Sequence, residues 1–315
     1  MSFIYKLTSN KKKIVKTFKD PLFAIRLILN QIAPLIKNDE LFLKWKYYTV
    51  FHRFPDLKNP QTYNEKLQWL KLYDKHPEYT QMVDKAEAKK YVANIIGEEY
   101  IIPTLGVYNT FDEIDFEKLP NQFVIKCTHD SGGVVVCKDK KTLDVLKARK
   151  KIEYGLDKSA YWASREYPYK NITPRIIIEQ YMEDNSMDGN EDLTDYKIYC
   201  CNGKVICIMT CTDRSKGVKF HFFSPQWKFL RWDHITQYEP EGFTMPQPQN
   251  LEEMIDVATK LSANMPEVRV DLYSINGKTY FGELTFFSNS GFDTDLTNEA
   301  DQILGSYLAL PQMRQ

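Results

Sequence analysis

Three polar residues, Arg269, Asp271 and Glu283, interrupt two apolar, aromatic-rich runs in the stretch 267–291, EVRVDLYSINGKTYFGELTFFSNSG. The dipeptide Asn276-Gly277 between those runs favours the positive backbone angles of a tight hairpin turn, so the stretch reads as a β-hairpin carrying acid. A carboxylate in a half-buried strand is costly to desolvate unless a cation or strong donor compensates it, and two that face each other point to a metal ion. Register decides whether they meet. A plain two-residue turn sets Asp271 opposite Gly282 and throws Glu283 to the other face; a bulge or a three-residue loop pairs Asp271 with Glu283 and Arg269 with Thr285. The second register leaves Val268, Val270, Leu272, Leu284 and Phe286 as an apolar face fit for a core, and it is the one expected. The competing reading is a salt bridge from Arg269 to a carboxylate inside a sheet, with no metal.

Two lysines could supply phosphate-binding charge. Residues 123–139, FVIKCTHDSGGVVVCKD, read as strand, loop and returning strand, with Lys126 near the end of the first strand and Ser131, Gly132 and Gly133 in the loop. Backbone N–H groups of such a loop can approach oxygens closely, while Lys126 offers a point charge. This is not a P-loop, because the lysine precedes the glycines and a strand follows them. Lys85 follows Asp84, which has capping-box spacing to Glu87, and so falls in the first turn of a helix that Gly97 can end in the left-handed conformation. A lysine there opposes the helix dipole by about 0.3–1 kcal/mol, a cost that a bound phosphate would offset. An ordinary glycine hairpin and a solvated lysine are the plainer alternatives.

Further along, residues 175–182 (RIIIEQYM) read as a buried strand with a polar end. The backbone of Gln180, Tyr181 and Met182 could meet the hydrogen-bonding edge of a base between Ile178 and Met182. Residues 195–214 form a hairpin around Asn202-Gly203, with Asp195, Lys197 and Arg214 as polar insertions. His129 lies in the glycine loop without a carboxylate partner in sequence and reads as a loop contact before a phosphate donor. Asp293-Thr294-Asp295 has the D-x-D spacing of metal-dependent glycosyltransferases, but with 42 acids in 315 residues such spacing arises by chance.

The elements that must position these groups require a large α/β unit, for which 315 residues suffice. Basic and acidic residues balance at 42 each, which offers no field for nucleic acid, and no apolar run is long enough to span a membrane. Six cysteines without C-x-x-C pairs read as buried thiols rather than zinc ligands, and the absence of a signal-peptide pattern leads to the expectation of a cytoplasmic protein. Residues 1–50 carry ten Lys or Arg against three acids beside an amphipathic stretch at 21–36. That stretch either lies on an anionic membrane surface or packs on the main domain with its basic face in water. Thr62 to Glu65 starts a helix whose Leu67, Leu70 and Leu72 fill a core, and Asn250 caps one running to about Ala263.

Taken singly these segments are unspecific, but their order resembles the ATP-grasp superfamily. TYNEKLQWLKLYD, GEEYIIP, FVIKCTHDSGG, PRIIIEQYM, DYKIYCCNGK, and RVDLY followed by FGELTF resemble its TupA-like branch, linked to teichuronopeptide and capsule-type polysaccharide synthesis, over about residues 60–305. The resemblance implies an α/β (α+β) ATP-grasp fold whose two lobes hold a nucleotide between β-sheets. It divides the chain into a basic helical region at 1–78, an N-lobe at 79–177 and a C-lobe with the metal site at 178–315. It implies Lys85 and Lys126 on nucleotide phosphates, Ser131, Gly132 and Gly133 as a mobile loop, and Glu179, Gln180, Tyr181 and Met182 as the adenine hinge. Asp271 and Glu283 become Mg²⁺ ligands, with Thr285 or Asn289 as the third. Arg269, Lys197 and Arg214 serve the reacting phosphate. ATP and Mg²⁺ would join a carboxylate to an amine through an acyl phosphate. A glycosyltransferase, a kinase on the same fold and an inactive nucleotide-binding module are the rival classes. The first 60 residues lack the α/β domain that precedes other ATP-grasp ligases, which leaves the acceptor site unplaced.

Overall fold

The computed structural model describes residues 21–184, 193–212 and 218–312; Arg214 lies outside them. Five helices come first: α1 (Pro21–Ile32), α2 (Asp39–Phe51), α3 (Tyr63–Tyr73), α4 (Tyr79–Val83) and α5 (Lys85–Ile96). Strands β1 (Thr104–Tyr108), β2 (Phe123–Cys127), β3 (Val134–Cys137) and β4 (Ile176–Gln180) then build a four-stranded sheet in the order β1-β4-β2-β3. Helices α6 (Val145–Leu156) and α7 (Ala160–Ser164) intervene before β4. A six-stranded sheet follows, formed by β5 (Asp195–Cys201), β6 (Lys204–Thr212), β7 (Lys219–Phe223), β8 (Phe229–Leu230), β9 (Glu267–Ile275) and β10 (Lys278–Thr285) in the order β10-β9-β5-β6-β7-β8. Helices α8 (Leu251–Leu261) and α9 (Asn298–Tyr307) complete the order. Every pairing within the two sheets is antiparallel.

The break between the sheets falls between Gln180 and Asp195, so an N-lobe ending at residue 177 cuts β4. A run of isoleucines buried on both faces carries no mark of where a sheet ends. The helical region is likewise not set apart. Helix α3 starts in a full capping box between Thr62 and Glu65 and buries Tyr63, Leu67 and Leu70 in the same core as β5, β9 and α8. A smaller core lies under the four-stranded sheet, where Ala148 and Ile152 of α6 meet Phe123, Ile125 and Ile178.

Local rules account for most of the boundaries. Asp84 caps α5 by accepting from the N–H groups of Ala86 and Glu87 at 2.9 and 3.0 Å. Gly97 ends that helix at φ +112° and ψ 156°, a glycine conformation more extended than the left-handed helical one expected. Asn250 does not cap α8 with its side chain. Its amide spans Thr279 and Ser274 at 2.7 Å each, tying the helix to the β9–β10 hairpin instead. Asn202-Gly203 and Asn276-Gly277 both take positive φ, as two-residue hairpin turns demand.

The β9–β10 hairpin combines two features treated above as alternatives. Its turn has two residues, with Lys278 opposite Ile275, yet a bulge between Phe281 and Glu283 shifts the register. Beyond it Glu283 pairs with Asp271, Leu284 with Val270 and Thr285 with Arg269. Gly282 is the extra residue, and a Cβ there would stand 3.0 Å from the carbonyl of Asp271.

Candidate active site

A cavity of about 840 Å³ is lined from both sheets, by Val124, Lys126 and Glu179 on one side and Lys197, Arg269, Asp271 and Glu283 on the other. Arg269 organises the acidic side. Its guanidinium grips Asp271 with two bonds, Nε to Oδ1 at 2.6 Å and Nη2 to Oδ2 at 2.8 Å, and the same Nη2 lies 3.5 Å from Glu283 Oε1. Ser288 Oγ and Thr285 Oγ1 accept from it at 3.0 and 3.1 Å. Lys197 of β5, placed opposite Asp271 by the β5–β9 register, donates to that carboxylate and sits 2.7 Å from Asp195. Burial opposes the charge on Lys197, but Asp271 and Asp195 outweigh it and raise the pKa above the ordinary lysine value. Burial pushes the Asp271 carboxyl up against the pull of Arg269 and Lys197.

Glu283 differs. One third of its side chain is exposed, and although its surroundings resist a charge, Lys85, Lys197, Arg269 and Lys126 hold its pKa down to about 2. Its second oxygen lies 3.7 Å from Lys85 Nζ, which also donates to the carbonyl of Asp130 at 3.0 Å. Lys85 thus links the β2–β3 loop to the acidic hairpin, and these protein oxygens offset its unfavourable place at a helix start.

On the four-stranded sheet Lys126 meets Glu179 at 2.5 Å, and Lys89 takes the other oxygen of the same carboxylate at 2.5 Å. Burial disfavours the Glu179 anion, yet the two lysines lower its pKa. Its side chain is therefore occupied by lysines rather than presented to a base. The Gln180 N–H is also committed, to the Pro103 carbonyl at 3.0 Å, so base-edge donors in this strand end lie beyond it, at Tyr181 and Met182, both of which line the cavity.

The loop residues separate. Ser131 lines the cavity, but a side chain on Gly133 would meet Cys127 Sγ at 2.5 Å and one on Gly132 would meet Lys158 Nζ at 3.2 Å. Packing beneath the loop accounts for Gly133. His129 is buried with Nε2 3.1 Å from the Lys158 carbonyl, and burial lowers its pKa, which makes it a neutral loop contact. Asp293 and Asp295 line the cavity, but Asp293 Oδ1 accepts the Asp295 N–H at 3.0 Å and its own N–H bonds Asn64, so this D-x-D is a held turn.

The donor set suits a hard divalent cation. Among the described residues no three His, Cys, Asp or Glu side chains converge. Magnesium commonly takes one or two carboxylates and draws its remaining oxygens from substrate and water. Glu283 is the open carboxylate, and Lys197 covers Asp271 from one side. Of the two candidates for a third oxygen, Thr285 spends its hydroxyl between Arg269 and Glu283, whereas Asn289 lines the cavity at φ 46°.

Sequence reading missed Lys89 and Ser288, and singled out Asp195 as a polar insertion without giving it a role. Lys89 was legible in principle, since it stands one turn after Lys85 on the same helix face. Ser288 carried no signal, because its place beside Arg269 depends on the turn that follows β10.

Two antiparallel sheets facing across a cavity, one carrying lysines and the other an arginine with two carboxylates, define the ATP-grasp class. Within it, the chain belongs to the TupA-like ATP-grasp family, whose profile matches residues 65–309. Among solved structures it is similar to D-alanine–D-alanine ligase from Bacillus anthracis complexed with ATP, at 15% identity and TM-score 0.38, over 65% of this chain and 53% of that one. The chain thus spans about half the length of that ligase. D-alanine–D-alanine ligase from Helicobacter pylori matches at 15% identity and TM-score 0.41, over 79% of this chain and 67% of that one. The ATP-grasp ligase PsnB, complexed with a phosphomimetic variant of its minimal precursor, Mg and ADP, matches at 10% identity and TM-score 0.40, over 78% and 65%. No curated protein matches the chain.

Proposed function

We propose that this protein is an ATP- and Mg²⁺-dependent carboxylate–amine ligase that releases ADP and acts in cell-surface polysaccharide or teichuronopeptide synthesis. The observation that carries this reading is the cross-strand pair Asp271–Glu283, gathered by Arg269 and set across one cavity from Lys126. In this reading residues 79–180 form the nucleotide lobe, and residues from 193 onward form the metal lobe.

Lys126 and Lys85 contact the phosphates, Tyr181 and Met182 border the base, and the loop around Ser131 covers the polyphosphate. Asp271, Glu283 and Asn289 hold Mg²⁺, which when bound neutralises charge on the β- and γ-phosphates. Arg269 and Lys197 stabilise charge on the transferred group. The substrate carboxylate attacks the γ-phosphorus, ADP leaves, and an amine then displaces phosphate from the acyl phosphate to form the amide. No protein nucleophile is required, because phosphoryl transfer of this kind depends on positioning and charge neutralisation. We place the reaction on the cytoplasmic side, where ATP is available.

The test is product analysis with ATP, Mg²⁺, and panels of uronic acids and amino acids carrying ¹⁸O in the carboxylate. ADP together with label in inorganic phosphate is expected. Label in AMP would replace the mechanism with adenylation, phosphate retained on the product would make the protein a kinase, and turnover of a sugar nucleotide without ATP would make it a glycosyltransferase.

A further inference from the structure

Helix α1 contains no buried residue. One face packs on the protein: Leu29 reaches the small cluster of Ala33, Phe42 and Leu43, Leu22, Phe23, Ala24 and Leu27 are half-buried, and Arg26 donates to the Thr49 carbonyl at 3.0 Å. Ile25, Ile28 and Ile32 recur at helical spacing on an exposed face, with Ile28 56% exposed, and Leu35 just beyond the helix is 79% exposed. Burying this face would recover hydrophobic free energy that the fold leaves unused.

Charge identifies what would cover it. Residues 1–20, which precede α1 and lie outside the described residues, contribute six lysines against one aspartate. The two nearest acids after the helix are already neutralised within the protein, Asp39 by Arg165 at 2.8 Å and Glu40 by Lys44 at 2.5 Å. An apolar face flanked by unbalanced positive charge is complementary to an anionic lipid surface rather than to a neutral apolar protein face. Length fixes the mode. Twelve residues make a helix about 18 Å long, short of the about 30 Å hydrocarbon layer, and among the described residues no helix is long and apolar enough to cross a membrane.

We infer that α1 lies in the plane of an anionic membrane leaflet, with Ile25, Ile28, Ile32 and Leu35 inserted at the headgroup boundary and the excess positive charge of the adjoining sequence favouring anionic lipid. The surface is independent of the cavity, so it stands whether or not the ligase reading does.

The test uses the full chain in co-sedimentation with vesicles of phosphatidylcholine alone and of phosphatidylcholine with one third phosphatidylglycerol. Partitioning at least about tenfold stronger onto the anionic vesicles is expected, together with release when salt is raised to about 0.5 M. Ile28→Glu combined with Leu35→Glu should lower partitioning about tenfold or more, and so should replacing Lys11, Lys12 and Lys13 by Gln. Both variants change exposed or flanking positions, so melting and ATP turnover should be unchanged. Equal binding to the two vesicle types, no binding to either, or undiminished binding by the Glu variant would overturn the inference. A dimeric mass in light scattering that the Glu variant converts to monomer would also overturn it, and would assign the face to a second copy of the chain.

Discussion

Each sheet buries one carboxylate between two cations, and the two arrangements are not equivalent. On the four-stranded sheet Glu179 is shared by Lys89 and Lys126, two point charges on flexible stems, and Lys126 remains 19% exposed to the cavity. On the six-stranded sheet Asp271 is locked by both arms of a buried guanidinium and covered by Lys197. Lysine can swing to a new partner at little cost, whereas a planar fork in a fixed bidentate bond cannot. The first sheet therefore keeps its positive charge exchangeable, ready to be shared with an arriving anion. The second fixes its charge and leaves Glu283 as the open group.

Asp271→Asn is the strongest challenge to that contrast. If Asp271 is the structural half of its site, its loss leaves Arg269 only the longer ion-pair contact to Glu283 at 3.5 Å and should cost about 3–5 kcal/mol of folding stability, measured by urea unfolding. A loss below about 1 kcal/mol would show that the clamp is no more rigid than its counterpart. Lys126→Ala should behave oppositely. Lys89 still compensates Glu179, so stability should fall by only about 1–2 kcal/mol, while ATP turnover falls about 10²- to 10³-fold. Unchanged turnover would remove Lys126 from the proposed phosphate site.

Glu267, at the start of the same strand as Asp271, sharpens the comparison because it is buried and, among the described residues, has no cation in ion-pair contact. Burial raises its pKa to about 8, opposed by the hydroxyl of Tyr63, which donates to Oε1 at 2.6 Å, and by the more distant Arg269. Between the ordinary glutamate value of 4.5 and about 8 the folded protein holds a proton that the unfolded chain has lost. Stability must therefore fall as pH rises through that window, by at most about 1.4 kcal/mol per pH unit. Glu267→Gln should flatten this slope in thermal melts between pH 5 and 9 and be the more stable form at the alkaline end. An identical slope in the variant would place the titration elsewhere. Glu283→Gln should cost less stability than Asp271→Asn, about 1–2 kcal/mol at pH 7, because its cations lose a carboxylate that is partly screened by solvent; the same urea series measures it.

Much of this was legible in the chain. Turn chemistry located both Asn-Gly hairpins, capping chemistry located the starts of α3 and α5, and the alternation around Asp271 required the register that β9 and β10 adopt. Those signals are local, and local rules reach a few residues. What escaped depends on distant segments. Nothing near Asn250 says that its amide will choose Thr279 over the helix it precedes, and nothing near Glu179 says that a lysine ninety residues earlier will claim it. The glycine at 133 reads in sequence as part of a loop made for phosphate, and nothing local shows that Cys127 beneath it also excludes a side chain there.

Gly282 gives the hairpin a phase. Along β10, residues before the bulge and residues after it obey opposite parities, and this one unit of slip puts Glu283 on the same face as Asp271. Removing that single glycine would bring Glu283 directly after Phe281, where an unbulged ladder pairs it with Asp271 again. Keeping the glycine without the bulge would instead retain every residue of the site and lose their convergence, with Gly282 opposite Asp271 and Glu283 on the other face. A relative lacking this residue would thus keep its acids paired, whereas one with a further residue and no second bulge would not, and aligned carboxylates should be counted as a site only when the slip between them is counted too.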